Sequence, residues 1–271
     1  LLDEINNLSI DSEVQISVII VNDASNHDRQ EEDKNLDNIF SIKILNMKVN
    51  QGHARCIATG LKYIYEKEDF DYVIPMDGDG EDRPEEIKDF IKQIEFSNSK
   101  TIVGSRVRRS EGLLFKICYR IHKLITFTFT GQSIKFGNFT CLPKSTVEKM
   151  INEKATWNSF SGSLTKVEKD LLSMPSTRGT RYFGPSKMSF YNLIKHSLSI
   201  ISVFRKTFLI RSALFIILYI LFIKSNASVI TAIPLIFLLV AVYSISNLAL
   251  RENMDEFDKA LSNINDIEKV K

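Results

Sequence analysis

Cysteine is scarce in this chain. Cys56, Cys118 and Cys141 are spread over 271 residues with no paired spacing. That argues against a disulfide framework or a thiolate zinc site and fits a reducing compartment. Charge imbalance is also missing. Thirty-five Lys and Arg against 33 Asp and Glu leave a net +2, so the balance makes no case for nucleic acid. The four histidines are scattered. His53 lies in a glycine-containing loop and could line a site; the others read as structural or exposed. No signal-peptide pattern opens the chain. It begins with leucine, which reads as a fragment whose natural N-terminus lies upstream.

What is present centres on residues 72–85. Tyr72 to Met76 is a short apolar run that reads as a buried strand. It breaks into Asp77-Gly78-Asp79-Gly80-Glu81-Asp82-Arg83-Pro84. Ligands of open α/β sheets bind where strands end at their C-terminal edge. Carboxylates there can hold a hard divalent cation through oxygen, and the cation can hold phosphate. Asp77, Asp79 and Glu81 alternate, so an extended backbone sends them to one side. Gly78 and Gly80 leave room for a ligand near the backbone. Pro84 suits a helix first turn, and Glu85 and Glu86 suit its positive end. An acidic, glycine-containing turn that merely solvates a loop has the same pattern, so the stretch alone leaves both readings open.

The surrounding chain alternates strand and helix. Val14 to Val21, Ile42 to Leu45 and Thr101 to Val103 read as strands. The helix opened by Asn50-Gln51-Gly52-His53 runs to about Lys67, with small residues at 54, 56, 58 and 60 for close packing. A second helix covers Pro84 to Phe96. This order predicts an α/β fold with a mostly parallel sheet. Asn22-Asp23-Ala24-Ser25 ends one strand; it is either a plain Asx turn or a carboxylate set to meet ribose or base. Gly104-Ser105-Arg106 ends another.

Basic residues concentrate locally, at 106, 108 and 109, at 116, 120 and 123, and at 178, 181 and 187. Such clusters suit phosphate or an anionic membrane surface, and equally a solvated surface. Leu113 to Phe129 carries Lys116, Arg120 and Lys123 on one face of an apolar helix. It reads as an interfacial helix or as an ordinary amphipathic one. Gly137 to Pro143 and a helix from Lys144 to Asn152 return to the globular body. Arg181 to Met188 forms a loop with two cations around glycine, proline and serine, and Phe190 to Phe204 again suits an interface.

The C-terminal third is plainer. Residues 229 to 250 carry no charge over 22 positions, about 33 Å of helix and enough for a bilayer core. Phe208 to Ile223 is apolar apart from Arg211, and Arg205, Lys206 and Arg211 can snorkel to an interface. With the short join 224–228 this predicts a two-helix transmembrane hairpin. The basic excess before it places the α/β domain in the cytoplasm. The divisions are 1–188 for the catalytic domain, 189–206 for an interfacial helix, 207–250 for the hairpin and 251–271 for a charged, loosely helical cytoplasmic tail.

Together these motifs resemble family-2 glycosyltransferases with a GT-A domain, in the branch of dolichol-phosphate mannosyltransferase and bacterial polyprenyl-phosphate glycosyltransferases. The resemblance runs from residue 1 to about 250. It matches Asn22-Asp23-Ala24-Ser25 to a nucleotide-holding turn, and Asn50 and Gly52 to the Asn-x-Gly that opens the next helix. It implies that Asp77, with Gly78, contacts the nucleotide and that Asp79 and Glu81 ligate Mg²⁺ or Mn²⁺. The family carries glutamine where Glu81 stands. Gly104-Ser105-Arg106 matches a family Gly-Ser-Arg. Arg181, Gly184, Ser186 and Lys187 match a loop near the donor diphosphate and acceptor phosphate, with Arg120 placed toward the acceptor. The family's first strand has no counterpart here, and Gly137-Asn138-Phe139 stands where Gly-Phe-Arg is common.

The implied activity is inverting transfer of a sugar from a nucleotide diphosphate to a membrane polyprenyl phosphate. Two other readings stand beside it. A glycan or lipid hydroxyl could be the acceptor, with Asp82 as base, or the chain could be a non-catalytic membrane subunit that binds nucleotide sugar. A homo-oligomer is left open.

Overall fold

The computed structural model describes residues 1–8, 10, 13–25, 35–108, 113–184 and 189–271. Helix α1 (Leu2–Asn6) precedes strands β1 (Ser17–Asn22) and β2 (Ser41–Met47). Helix α2 (His53–Lys67), the two-residue strand β3 (Tyr72–Val73), helix α3 (Ile87–Ser97) and strand β4 (Ile102–Arg108) follow. Then come α4 (Leu113–Thr130), β5 (Phe136–Pro143), α5 (Lys144–Ile151), α6 (Phe160–Val167) and β6 (Leu172–Thr177). Four helices, α7 (Phe190–Ser202), α8 (Arg205–Ile223), α9 (Val229–Ala249) and the short α10 (Met254–Asp258), lead to a last strand, β7 (Ile264–Lys269).

The expected elements form, but the sheet is mixed rather than mostly parallel. β1 runs parallel to β2 and β4 parallel to β6, whereas β2–β7, β3–β5 and β4–β5 are antiparallel. A parallel neighbour needs a crossover helix laid on the sheet. Helix α4 does not serve as one; it packs on α7 and α8, so β5 returns beside β4 in the opposite direction. The strands form two sheets, β1-β2-β7 and β3-β5-β4-β6. Among the described residues no strand joins β1 to β3. Val18 and Ile20 of β1 nonetheless share an apolar cluster with Ile74 and Met76 beyond β3, around buried Ile39, Ile42 and Ile87. The strand expected over residues 72–76 is two residues long, because Tyr72 and Val73 alone find partners, Pro143 and Leu142.

Helix α2 is seated as its small residues imply. A Cβ on Gly60 would lie 3.1 Å from Val21 Cγ2, so only glycine permits this approach to β1 without displacement. Ala58 and Leu61 join Leu142, Met150, Trp157 and Leu164 in the largest core cluster.

The tail departs from expectation. Residues 251–271 are not a loose helix. Phe257 is fully buried and stacks on Trp157 with ring centroids 5.4 Å apart. Glu256 accepts hydrogen bonds from Arg55 (2.9 Å) and from Trp157 Nε1 (3.0 Å). Lys62 pairs with Asp258 at 3.1 Å. β7 then pairs with the edge of β2, Leu45 opposite Ile267. One buried aromatic ring outweighs the helical leaning of a charged segment, because burying it is worth a few kcal/mol while each exposed charge pair contributes less.

Helices α8 and α9 are both long and apolar enough to cross a membrane. Their outward side chains are exposed, among them Phe222, Val229, Ile230 and Phe237. Inside, Ile201, Phe208, Leu238 and Ile245 hold α7, α8 and α9 together. Ser228 and Thr231 cap α9 reciprocally, satisfying backbone donors at its start. Beyond Arg205 and Lys206 in its first turn, α8 carries one more charge, Arg211, whose guanidinium donates to the carbonyls of Phe127 (3.2 Å) and Thr128 (2.8 Å). Those carbonyls lie in the last turn of α4, where a cation is favoured by the helix dipole.

Candidate active site

The acidic loop is built by its own carboxylates. Asp82 Oδ2 accepts the Asp77 N–H at 2.9 Å, and Asp79 Oδ1 accepts the Glu81 N–H at 3.0 Å. Gly80 has φ 89°, a region open to glycine without strain. Asp82 is 7% exposed. Burial, with the charge of Asp77 beside it, raises its carboxyl to about 7, against the opposing pull of the Asp77 N–H and Arg106. That value suits a general base, but a base must also reach the proton it takes. Asp82 Oδ2 is held by the Asp77 amide, so this carboxylate pins the loop.

Residues 178–182 lie directly on this loop. Gly179 N–H donates to the Glu81 carbonyl (2.8 Å) and Tyr182 N–H to the Asp79 carbonyl (2.9 Å). The two segments are so close that a Cβ on Gly179 would overlap the Gly80 carbonyl, and one on Gly80 would come within 2.8 Å of the Tyr182 ring. Side chains complete the join. Arg181 Nη1 pairs with Asp79 Oδ2 at 2.9 Å, and Arg181 Nε donates to Glu81 Oε1 at 2.9 Å. Arg178 Nη2 pairs with Glu81 Oε2. Burial and the neighbouring Arg181 charge lower the Arg178 pKa, against the opposing charges of Asp79 and Asp77. The Tyr182 hydroxyl donates to Glu4.

A second knot holds the turn after β1 against the start of α2. Asp23 accepts the N–H groups of Gln51 (2.6 Å) and Gly52 (2.9 Å), while Asn50 Nδ2 donates to the Asp23 carbonyl (3.2 Å). Ser25 N–H donates to Asn22 Oδ1 at 3.1 Å, an Asx turn with Ala24 at φ 53°. The plain Asx turn is the reading seen here: Asn22 makes the turn, and Asp23 organises the helix entrance. His53 bridges the two knots. Its Nε2 lies 3.6 Å from Asp77 Oδ1 and 2.5 Å from Asn138 Nδ2.

The remaining candidates divide. Gly78 is exposed with open space around it. Arg106 is exposed and near Gly137, 3.4 Å from where a Cβ there would lie. Arg120 is exposed on α4 and forms no ion pair with Asp77, Asp79 or Glu81. Ser186 and Lys187 lie outside the described residues. Arg178, which the sequence left among general basic residues, is brought onto Glu81 by the structure. Its signal is Glu81, whose extra carboxylate relative to the family glutamine calls for a cation.

Asp79 and Glu81 are hard oxygen donors of the type Mg²⁺ and Mn²⁺ prefer. Among the described residues no third His, Cys, Asp or Glu converges with them as a metal cage. Two carboxylates fit an ion that takes its other ligands from water and substrate phosphates, the usual habit of Mg²⁺.

An α/β domain whose acidic loop is faced by arginines fits a glycosyltransferase that uses a nucleotide sugar. The chain belongs to glycosyl transferase family 2, whose model matches residues 2–157. The comparison with curated proteins gave no match. The family match ends at Trp157, before the arginine segment and before α7 to α9.

Proposed function

We propose that the protein transfers a sugar, with inversion, from a nucleotide-diphosphate sugar to a polyprenyl phosphate at a membrane surface. The observation that carries this reading is the direct seating of Arg178 and Arg181 on the carboxylates of Asp79 and Glu81, in a chain whose α8 and α9 expose apolar side chains all along their length. The reading places the catalytic domain on the cytoplasmic side.

Asp79 and Glu81 would hold Mg²⁺ or Mn²⁺, which when bound supplies positive charge beside the leaving diphosphate. The chain's own residues do the rest. Arg181 offsets charge that builds on the leaving oxygen, the task the sequence also assigns to Lys187. Asp77 and His53 flank the space beside the nucleotide turn. A lipid phosphate is anionic at neutral pH and attacks without a general base. Its oxygen forms a bond to the anomeric carbon as the bond to the diphosphate oxygen breaks, and the nucleoside diphosphate leaves with the electron pair. Arg120 on α4 stands toward the acceptor in this scheme. A hydroxyl acceptor needs a base, and Asp82, its carboxyl raised to about 7, is the candidate for that alternative.

Membranes carrying the protein are to be incubated with radiolabelled nucleotide sugars, polyprenyl phosphate and Mg²⁺ or Mn²⁺. Label should enter the organic phase, vanish with EDTA and be absent for Asp79→Ala. Label appearing only in a water-soluble glycan would sink the lipid-phosphate assignment.

A further inference from the structure

Every oxygen of the two carboxylates proposed to meet the metal is already engaged. Asp79 Oδ1 accepts the Glu81 N–H (3.0 Å) and Oδ2 faces Arg181 Nη1 (2.9 Å). Glu81 Oε1 accepts from Arg181 Nε (2.9 Å), and Oε2 pairs with Arg178. The Glu81 side chain is only 12% exposed, so its charge requires a partner at that position. Two carboxylates and two guanidiniums offset one another, which weakens the pull that Asp79 and Glu81 exert on an approaching divalent cation.

We infer that Arg178 is a positioning residue that, with Arg181, acts as a resident counter-cation for Glu81 and makes divalent-cation binding wait on the donor's diphosphate. The inference deepens the donor-and-metal reading above and rests on it. A diphosphate is a better partner for two adjacent guanidiniums than one carboxylate is, since it offers several oxygens and more charge. When it draws the guanidiniums away, Glu81 and Asp79 are released to the cation. The exchange keeps charge balanced throughout: metal to carboxylates, arginines to phosphate. Arg178 is thereby matched to Glu81, the position at which this chain departs from the family glutamine. Linkage makes the effect reciprocal, so metal must tighten diphosphate binding by the same factor.

The test uses the full chain in detergent micelles, with free Mn²⁺ read by electron paramagnetic resonance, alone and with UDP or GDP. Wild-type protein should bind Mn²⁺ about tenfold more tightly once the matching nucleoside diphosphate is present, within the usual range of such couplings. Arg178→Gln should tighten Mn²⁺ binding in the absence of nucleotide and shrink the nucleotide effect to less than about threefold. Arg178→Lys, which keeps the charge, should behave as wild type. If Arg178→Gln binds Mn²⁺ no better than wild type while retaining the full nucleotide effect, the inference is overturned and the donor-and-metal reading survives. If wild-type protein binds no Mn²⁺ under any condition, that reading falls and the inference with it. A short prenyl phosphate should leave Mn²⁺ affinity unchanged; an equal gain from it would overturn the assignment to the donor.

Discussion

Two late segments of this chain fold back onto its first hundred residues, and they do so by opposite means. Residues 178–182 join the acidic loop through ion pairs and two backbone hydrogen bonds, with no buried apolar side chain at the join. Residues 256–269 join α2 and β2 through the stacked rings of Trp157 and Phe257, and charges only rim the contact. Arg55, 4.9 Å over the Trp157 ring, and Lys62, 5.4 Å over Phe257, belong to that rim. The lesson is about exchangeability. A join made of charge can be taken over by another ion at little cost, whereas a join made of buried rings has no competitor in solution. The first suits a site and the second an anchor.

Breaking the anchor should give the largest effect. Phe257→Ala leaves a cavity against Trp157 and should lower unfolding free energy by about 3–5 kcal/mol, measured by chemical denaturation in micelles; a loss under 1 kcal/mol would mean that the tail is not part of the core. At the other join, Asp79→Ala should cut turnover by about 10²–10³-fold with an unchanged far-ultraviolet circular dichroism spectrum, because it removes a carboxylate but no apolar packing. The contrast fails if this variant loses stability as Phe257→Ala does. Arg55→Ala strips one rim contact from the anchor and should cost only about 1 kcal/mol. The smallest expected change sharpens the comparison most. At high salt the amides of Gly179 and Tyr182 should exchange hydrogen severalfold faster, while those of the β2–β7 ladder hold steady. Equal acceleration in both places would erase the distinction.

The sequence made the site easier to read than the fold around it. Asp79, Glu81 and Arg181 were legible through the order of the motifs around them rather than through the acidic turn alone, and the structure places them in direct contact. Asp23, Asn50 and Gly52 were legible as a turn and a helix start, and they meet. Arg178 was harder, since its role depends on a partner 97 positions earlier, Glu81. The antiparallel course of β5 depends on where α4 packs, which hydropathy does not encode. β7 was hidden for a related reason. Residues 264–269 are mostly polar and mostly exposed, and the strand is held by backbone pairing with β2, so no apolar alternation marks it. The single large apolar residue that anchors it, Phe257, lies several residues before the strand begins.

The pairing of β7 with β2 also fixes a parity. The chain leaves its α/β domain after β6 and re-enters it at α10, with α7, α8 and α9 between. Whatever barrier that excursion crosses, it must cross an even number of times, or the final strand would be stranded on the wrong side of its partner. Two crossings satisfy the rule and one or three do not. The β2–β7 pairing thus acts as a built-in proofreader of how the middle is threaded: a chain that threaded only one of its two long apolar helices could finish that helix but could not finish its fold.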